Sequence, residues 1–144
     1  MREGIRSTVE TLTKKYGTHE PEEICLGIGI PIMLYDLPEV TNGFCLMLSE
    51  GTVIVLNQNL AHSQRRAVLA HELGHAVLHK GFNYMFMTEH TNMVTGKFER
   101  EADLFAAELL LRHETNFENS TVETIAAKYF LSTSAVSEFF GGEQ

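Results

Sequence analysis

Residues 70–79 read AHELGHAVLH and place His71, His75 and His79 at intervals of four along the chain. Four residues make about one turn of an α-helix, so the three imidazoles are predicted to share a helix face. At about 1.5 Å per residue, His71 and His79 lie about 12 Å apart along such a helix. Zinc–nitrogen bonds are about 2.0–2.1 Å long, so one zinc ion cannot bind both. The sequence therefore predicts a metal site built on one adjacent pair.

Glu72 distinguishes the two adjacent pairs. It completes the pattern H-E-x-x-H, in which two ligands on successive helical turns stand beside a carboxylate that serves as general base. Ala76 occupies the same place after His75, so the second pair lacks a base. We predict His71 and His75 as ligands, Glu72 as the catalytic base, and a structural role for His79 at the helix end. The alternative is that these histidines are buried and satisfied by ordinary hydrogen bonds.

The third ligand is sought in the helical stretch KFEREADLFAAELLLRH, residues 97–113, because a catalytic zinc site needs three protein ligands and an open position. On a helical projection Glu101 falls in the apolar stripe, whereas Glu99 and Asp103 fall on the side expected to face solvent. A carboxylate in an apolar stripe is costly unless it is paired or metal-bound, so Glu101 is the predicted third ligand. Glu108 is predicted either to orient a ligand histidine or to form a salt bridge at the edge of the stripe.

The segment between these two helical stretches, FNYMFMTEHTNMV at 82–94, has no clear periodicity. We interpret it as irregular, with room for a strand or a short helix. His90 lies in this segment, which could overhang the site. His90 is therefore a candidate for stabilising an oxyanion.

The rest of the pattern indicates an α+β fold with a small antiparallel sheet between helices. Helices are predicted over 5–16, within 20–30, from Ser63 to Gly81, over about 95–113, and from Ser120 to about 131. A strand is predicted in PIMLYDL at 31–37 and a hairpin in NGFCLMLSEGTVIVLN at 42–57. The expected organisation is one domain, 1–144, with a core over 17–113 and a C-terminal helical segment over 119–144.

Composition narrows the functional classes. The chain has 144 residues, of which 44% are hydrophobic and 21% charged, as in an ordinary globular protein. Its net charge of −8 argues against binding a phosphate backbone. No apolar run reaches the roughly 20 residues of a membrane span, and the N-terminal stretch has no apolar secretory core. Cys25 and Cys45 form no paired motif and are predicted to be reduced thiols. These features predict a cytoplasmic protein.

The motif at 70–79, followed by EREADLFAAELLL at 99–111, resembles the ImmA/IrrE family of zinc metallopeptidases. The resemblance includes VIVLNQNLAHSQRRAVLAHELGH at 53–75 and covers about residues 20–112. It implies zincin-like helices, with the H-E-x-x-H helix packed on the sheet. It also implies His71, His75 and Glu101 as zinc ligands and Glu72 as base, the same residues chosen above. Manganese is the alternative metal, because sites of histidine and carboxylate accept several ions.

The resemblance further implies a cytoplasmic endopeptidase of phage or mobile-element type that cleaves a helix-turn-helix repressor and so relieves repression. The strand near 53–56 is predicted to pair with an extended substrate. One alternative is a non-catalytic module that binds a repressor or another partner around a structural or vestigial zinc. A second is DNA binding, because TVETIAAKYFLSTSAVSEFF at 121–140 has a helix-turn-helix pattern. The charge of this part of the chain argues against DNA binding, because a recognition helix needs Lys or Arg to contact phosphates. From residue 114 onward the basic side chain is Lys128, against five glutamates: Glu114, Glu118, Glu123, Glu138 and Glu143.

Overall fold

Six helices and a small sheet make up the fold, which we describe from a computed structural model covering residues 2–80, 85–86 and 93–141. The predicted α+β class is confirmed. In chain order the elements are α1 (Arg2–Tyr16), α2 (Pro21–Ile28), β1 (Ile32–Tyr35), β2 (Gly43–Leu48), β3 (Gly51–Asn57), α3 (His62–Leu78), β4 (Met85–Phe86), α4 (Met93–Leu111), α5 (Val122–Tyr129) and α6 (Thr133–Phe139).

The strands are arranged in the order β1-β3-β2-β4. The predicted hairpin is β2 and β3, which pair antiparallel, and β4 adds to the other edge of β2, also antiparallel. The sheet is nevertheless mixed, because β1 pairs with β3 in parallel, with Ile32 opposite Ile54. β3 is therefore bonded on both of its edges. The expectation that residues 53–56 pair with a substrate strand is wrong, since β1 and β2 already take their backbone groups.

Helix α3 packs against the sheet through a row of buried apolar side chains and carries the H-E-x-x-H motif. Ala61, not Ser63, precedes its first turn, and it makes no side-chain cap bond. The helix ends at Leu78, short of the predicted stop, because His79 leaves the helical conformation at φ −112°. The buried apolar residues of α3 are Ala67, Leu69, Ala70, Leu73 and Ala76.

Helix α4 packs tightly against α3 at Gly74, in the middle of the motif. A Cβ atom at this position would lie 3.1 Å from three atoms of the Phe105 side chain, Cβ, Cγ and Cδ1. Phe105 is fully buried, so it has no free space to move into. Glycine therefore sets the separation of the two helices.

Replacing Gly74 by leucine tests this close approach. We expect Gly74→Leu to lower the free energy of unfolding by about 3 kcal/mol, because overpacking outweighs the roughly 1 kcal/mol gained from helix propensity. The control is Gly4→Leu in α1, where an added Cβ has no atom within 4 Å. Urea unfolding of both variants measures the difference, and equal stabilities would contradict the close contact.

The last two helices, α5 and α6, pack on α4 through Ile125, Ala126 and Val136. The cap of α5 is Thr121 instead of the predicted Ser120, and its side chain accepts a hydrogen bond from the backbone N–H of Thr124 at 3.0 Å. Between the two helices, Phe130 adopts a left-handed conformation at φ 58°. The turn that it begins comes back to the groove between α3 and α4. None of the described helices combines the length and apolar character that crossing a membrane requires.

Candidate metal centre

Imidazoles of α3 meet carboxylates of α4 across the groove between these helices. His71 Nε2 lies 2.8 Å from Glu99 Oε1, and His75 Nε2 lies 3.1 Å from Glu99 Oε2. One potential ligand atom from each of these three residues lies within 4.8 Å of the other two. Two histidine nitrogens and a carboxylate oxygen are a donor set that suits zinc, so the residues fit the metal that the motif predicts.

Glu101 does not belong to this cluster. Its Oε1 atom lies 2.8 Å from His79 Nε2, and the carboxylate grouped with His71 and His75 is that of Glu99, which makes Glu99 the candidate third ligand in place of the predicted Glu101. Glu99 and Asp103 lie at the mouth of the groove, with side chains 28% and 40% exposed, where a substrate has access. The carboxylates nearest the two histidines thus lie on the face of α4 that the helical projection assigns to solvent, and not in its apolar stripe.

Asp103, and not Glu108, contacts one of the motif histidines. Its Oδ1 atom lies 2.8 Å from His71 Nδ1, which leaves His71 Nε2 directed towards Glu99. Glu108 is fully buried on the face of α4 that meets α1, and it pairs with Arg6 at 3.0 Å and Arg112 at 3.6 Å. Of the two roles predicted for Glu108, the structure shows the salt bridge, but Glu108 forms it in the protein interior and not at the edge of the apolar stripe.

Neither Glu99 nor Asp103 is among the site residues predicted from the sequence. A usable signal was present in their spacing. They are four residues apart on α4, the same interval that separates His71 from His75 on α3. Residues four apart lie on the same face of a helix, so when two such helices face each other, the carboxylate pair of one can meet the histidine pair of the other.

Glu72 lies beside this cluster with only 6% of its surface exposed. Its Oε1 atom is buried and has no hydrogen-bond partner among the described residues. The pKa of Glu72 is raised to about 7, mainly by burial; the nearby His71 lowers this pKa, and the carboxylates of Glu99 and Asp103 contribute to its rise. A carboxylate with a pKa near neutrality can both accept and release a proton, which is the requirement for a general base.

The charges around the two histidines favour a cation between them. Burial lowers the pKa of His75 to about 4, so this imidazole is neutral at pH 7. Burial also opposes charging of His71, but hydrogen bonds to Asp103 and Glu99 place its pKa well above the usual value. The carboxyl group of Glu99 is itself penalised by burial, yet its bonds to both histidines lower its pKa to about 2. The carboxylates thus favour positive charge at the point where a metal would bind.

A cleft of about 280 Å³ opens onto the cluster. Its polar side carries His71, Glu72, Glu99 and Asp103. Its other side carries the turn between α5 and α6, where Phe130 is 48% exposed. His90 lies outside the described residues, so its predicted contribution to an oxyanion site stays a prediction. The apolar part of the lining consists of Ala67, Val68, Ala106, Phe130 and Leu131.

Comparison with known proteins gives matches that span this site. A family profile described as the IrrE N-terminal-like domain, a peptidase family, matches residues 25–139. "Uncharacterized immunity region protein 2" of Bacillus phage phi105 is 41% identical over 107 residues, covering 74% of this chain and 68% of that protein. "Metallopeptidase ImmA" of Bacillus subtilis strain 168 is 39% identical over 111 residues, covering 75% of this chain and 63% of that protein. The chain thus spans about two thirds of the length of each relative.

Proposed function

The chain belongs to the IrrE N-terminal-like family of metallopeptidases, and on that premise we propose that it is a zinc-dependent endopeptidase. The observation that carries the proposal is the placement of buried Glu72 beside the cluster of His71, His75 and Glu99. The proposed substrate is a cytoplasmic helix-turn-helix repressor, whose cleavage relieves repression. The name of the phage relative, an immunity region protein, supports a regulatory substrate of this kind.

The proposed mechanism divides the work between the metal and the side chains. His71 Nε2, His75 Nε2 and Glu99 would hold the ion, and zinc there would supply a Lewis acid that activates water and polarises the scissile carbonyl. Glu72 takes the proton from the attacking water and delivers it to the leaving amine. Asp103 holds the imidazole of His71 in place through Nδ1. Manganese is the alternative ion for this donor set.

Co-expression with a candidate repressor tests the proposal. Where a helix-turn-helix repressor is encoded beside this chain, the wild type is expected to convert it into two fragments on a gel. The Glu72→Gln variant and a chelator-treated sample are the controls, and neither should produce fragments. A repressor that is captured but stays intact would support the alternative, a binding module that does not cleave.

The apolar side of the cleft leads to a prediction about substrate affinity. Phe130 lines the cleft from the turn between α5 and α6, where it can contact an apolar side chain of the substrate. We expect Phe130→Asn to raise KM about tenfold, because the lost apolar contact is worth about 1.4 kcal/mol. Asparagine tolerates the left-handed backbone at this position, so the turn should persist.

Phe140 provides the matched control for Phe130. It is 47% exposed, but it does not line the cleft, and its ring contacts Phe117 and Phe139 instead. Phe140→Asn should leave KM within about twofold of the wild type, as is usual for exposed positions away from a site. Equal KM values for the two variants would show that the substrate does not contact Phe130.

A further inference from the structure

His79 makes two polar contacts that the mechanism above does not use. Its Nδ1 atom lies 3.0 Å from Nδ1 of His75, and its Nε2 atom lies 2.8 Å from Oε1 of Glu101. Its ring stacks on Phe98 with the ring centroids 4.0 Å apart. Only 2% of His79 is exposed, so its orientation is fixed by these neighbours. A polar side chain buried in this manner has a defined set of proton positions.

The proton positions follow from the role of His75. If Nε2 of His75 is a ligand, its proton must reside on Nδ1, which then donates to Nδ1 of His79. His79 must accept at Nδ1, so its own proton resides on Nε2 and is donated to the carboxylate of Glu101. One assignment of the ring protons therefore satisfies both contacts of His79, and the chain of hydrogen bonds from His75 ends at the carboxylate of Glu101.

We propose that His79 and Glu101 form a hydrogen-bond relay that positions His75 for metal binding. The inference rests on the proposed function, because it takes His75 as a ligand. The relay is the counterpart of the direct contact between Asp103 and His71. Each ligand histidine is thus held at Nδ1 by a carboxylate of α4, His71 directly and His75 through His79. Such contacts fix the ring and its tautomer and strengthen the imidazole as a ligand.

Two substitutions at His79 separate the relay from simple packing. In His79→Asn the side-chain oxygen takes the place of Nδ1 and can still accept from His75. In His79→Leu the apolar contact with Phe98 is kept, but His75 loses its acceptor. A packing role predicts that leucine is tolerated at least as well as asparagine. The relay predicts the reverse for zinc affinity, with His79→Leu weakening zinc binding about 10- to 100-fold and His79→Asn less.

Substitutions at Glu101 test the other end of the relay and remain informative if the His79 variants fail to fold. Glu101→Gln keeps an acceptor for His79 Nε2 and should change zinc affinity by no more than about threefold. Glu101→Leu removes the acceptor and should weaken zinc binding about tenfold. The control is His62→Leu, an exposed histidine at the start of α3, which should leave zinc affinity unchanged.

The measurement is the zinc dissociation constant by chelator competition, together with kcat and KM at saturating zinc and thermal unfolding of the metal-free proteins. Weaker zinc binding in His79→Leu than in His79→Asn, or in Glu101→Leu than in Glu101→Gln, supports the relay. Equal affinities within each pair overturn it. A wild type that binds zinc without cleaving overturns the proposed function alone, since the affinity order still decides the relay. A wild type that binds no zinc overturns both.

Discussion

Glu72→Gln is expected to lower kcat by about 10³-fold, within the range found for loss of a general base, while zinc binding is retained. The amide cannot take a proton from the attacking water, but it has nearly the same shape as the carboxylate. Glu72 is not one of the three residues that form the ligand cluster, so metal content should stay close to the wild type. The measurements are single-turnover cleavage of the proposed repressor substrate and zinc content of the purified protein.

The matched control for Glu72→Gln is Glu50→Gln, a change of the same chemistry in the exposed turn between β2 and β3. It should leave both rate and zinc content unchanged. A Glu72→Gln protein that cleaves at the wild-type rate would contradict the assignment of the base. Loss of zinc together with activity would instead indicate that Glu72 helps to hold the metal.

Glu99→Gln is expected to weaken zinc binding by more than about 100-fold, beyond the range typical of residues that only orient ligands. The substitution removes the negative charge that pairs with both histidines, at 2.8 Å from His71 and 3.1 Å from His75. Glu101→Gln, two residues away on the same helix, should leave zinc affinity nearly unchanged. Chelator competition on the two variants decides between the carboxylates. The opposite order would restore Glu101 as the ligand.

The sequence alone predicted the elements that depend on local pattern. The four-residue spacing of His71 and His75 with Glu72 between them located the motif on a helix, and the structure places it on α3. The hairpin of β2 and β3 was predicted from two apolar runs around a short turn. Both features depend on contacts between residues near each other in the chain, which periodicity and turn composition reveal.

Features that depend on contacts between distant segments, such as strand pairing and the packing of α4 on α3, were predicted less well. The position of β1 alongside β3 is a contact between distant segments, and nothing in the strand's own sequence specifies a parallel partner. Glu101 was chosen because a buried carboxylate needs a partner. His79 meets that need, and the carboxylate that lies with His71 and His75 in the candidate metal cluster is that of Glu99. Burial identifies residues that need partners, whereas a catalytic site also requires access.

The most direct test of the metal centre is a crystal structure of the zinc-loaded protein with anomalous diffraction recorded at the zinc edge. The account predicts one strong peak within about 2.0–2.2 Å of His71 Nε2, His75 Nε2 and a carboxylate oxygen of Glu99. In that structure His79 should still lie between His75 and Glu101. A peak bound to Glu101 or His79, or no peak in the groove between α3 and α4, would contradict the account.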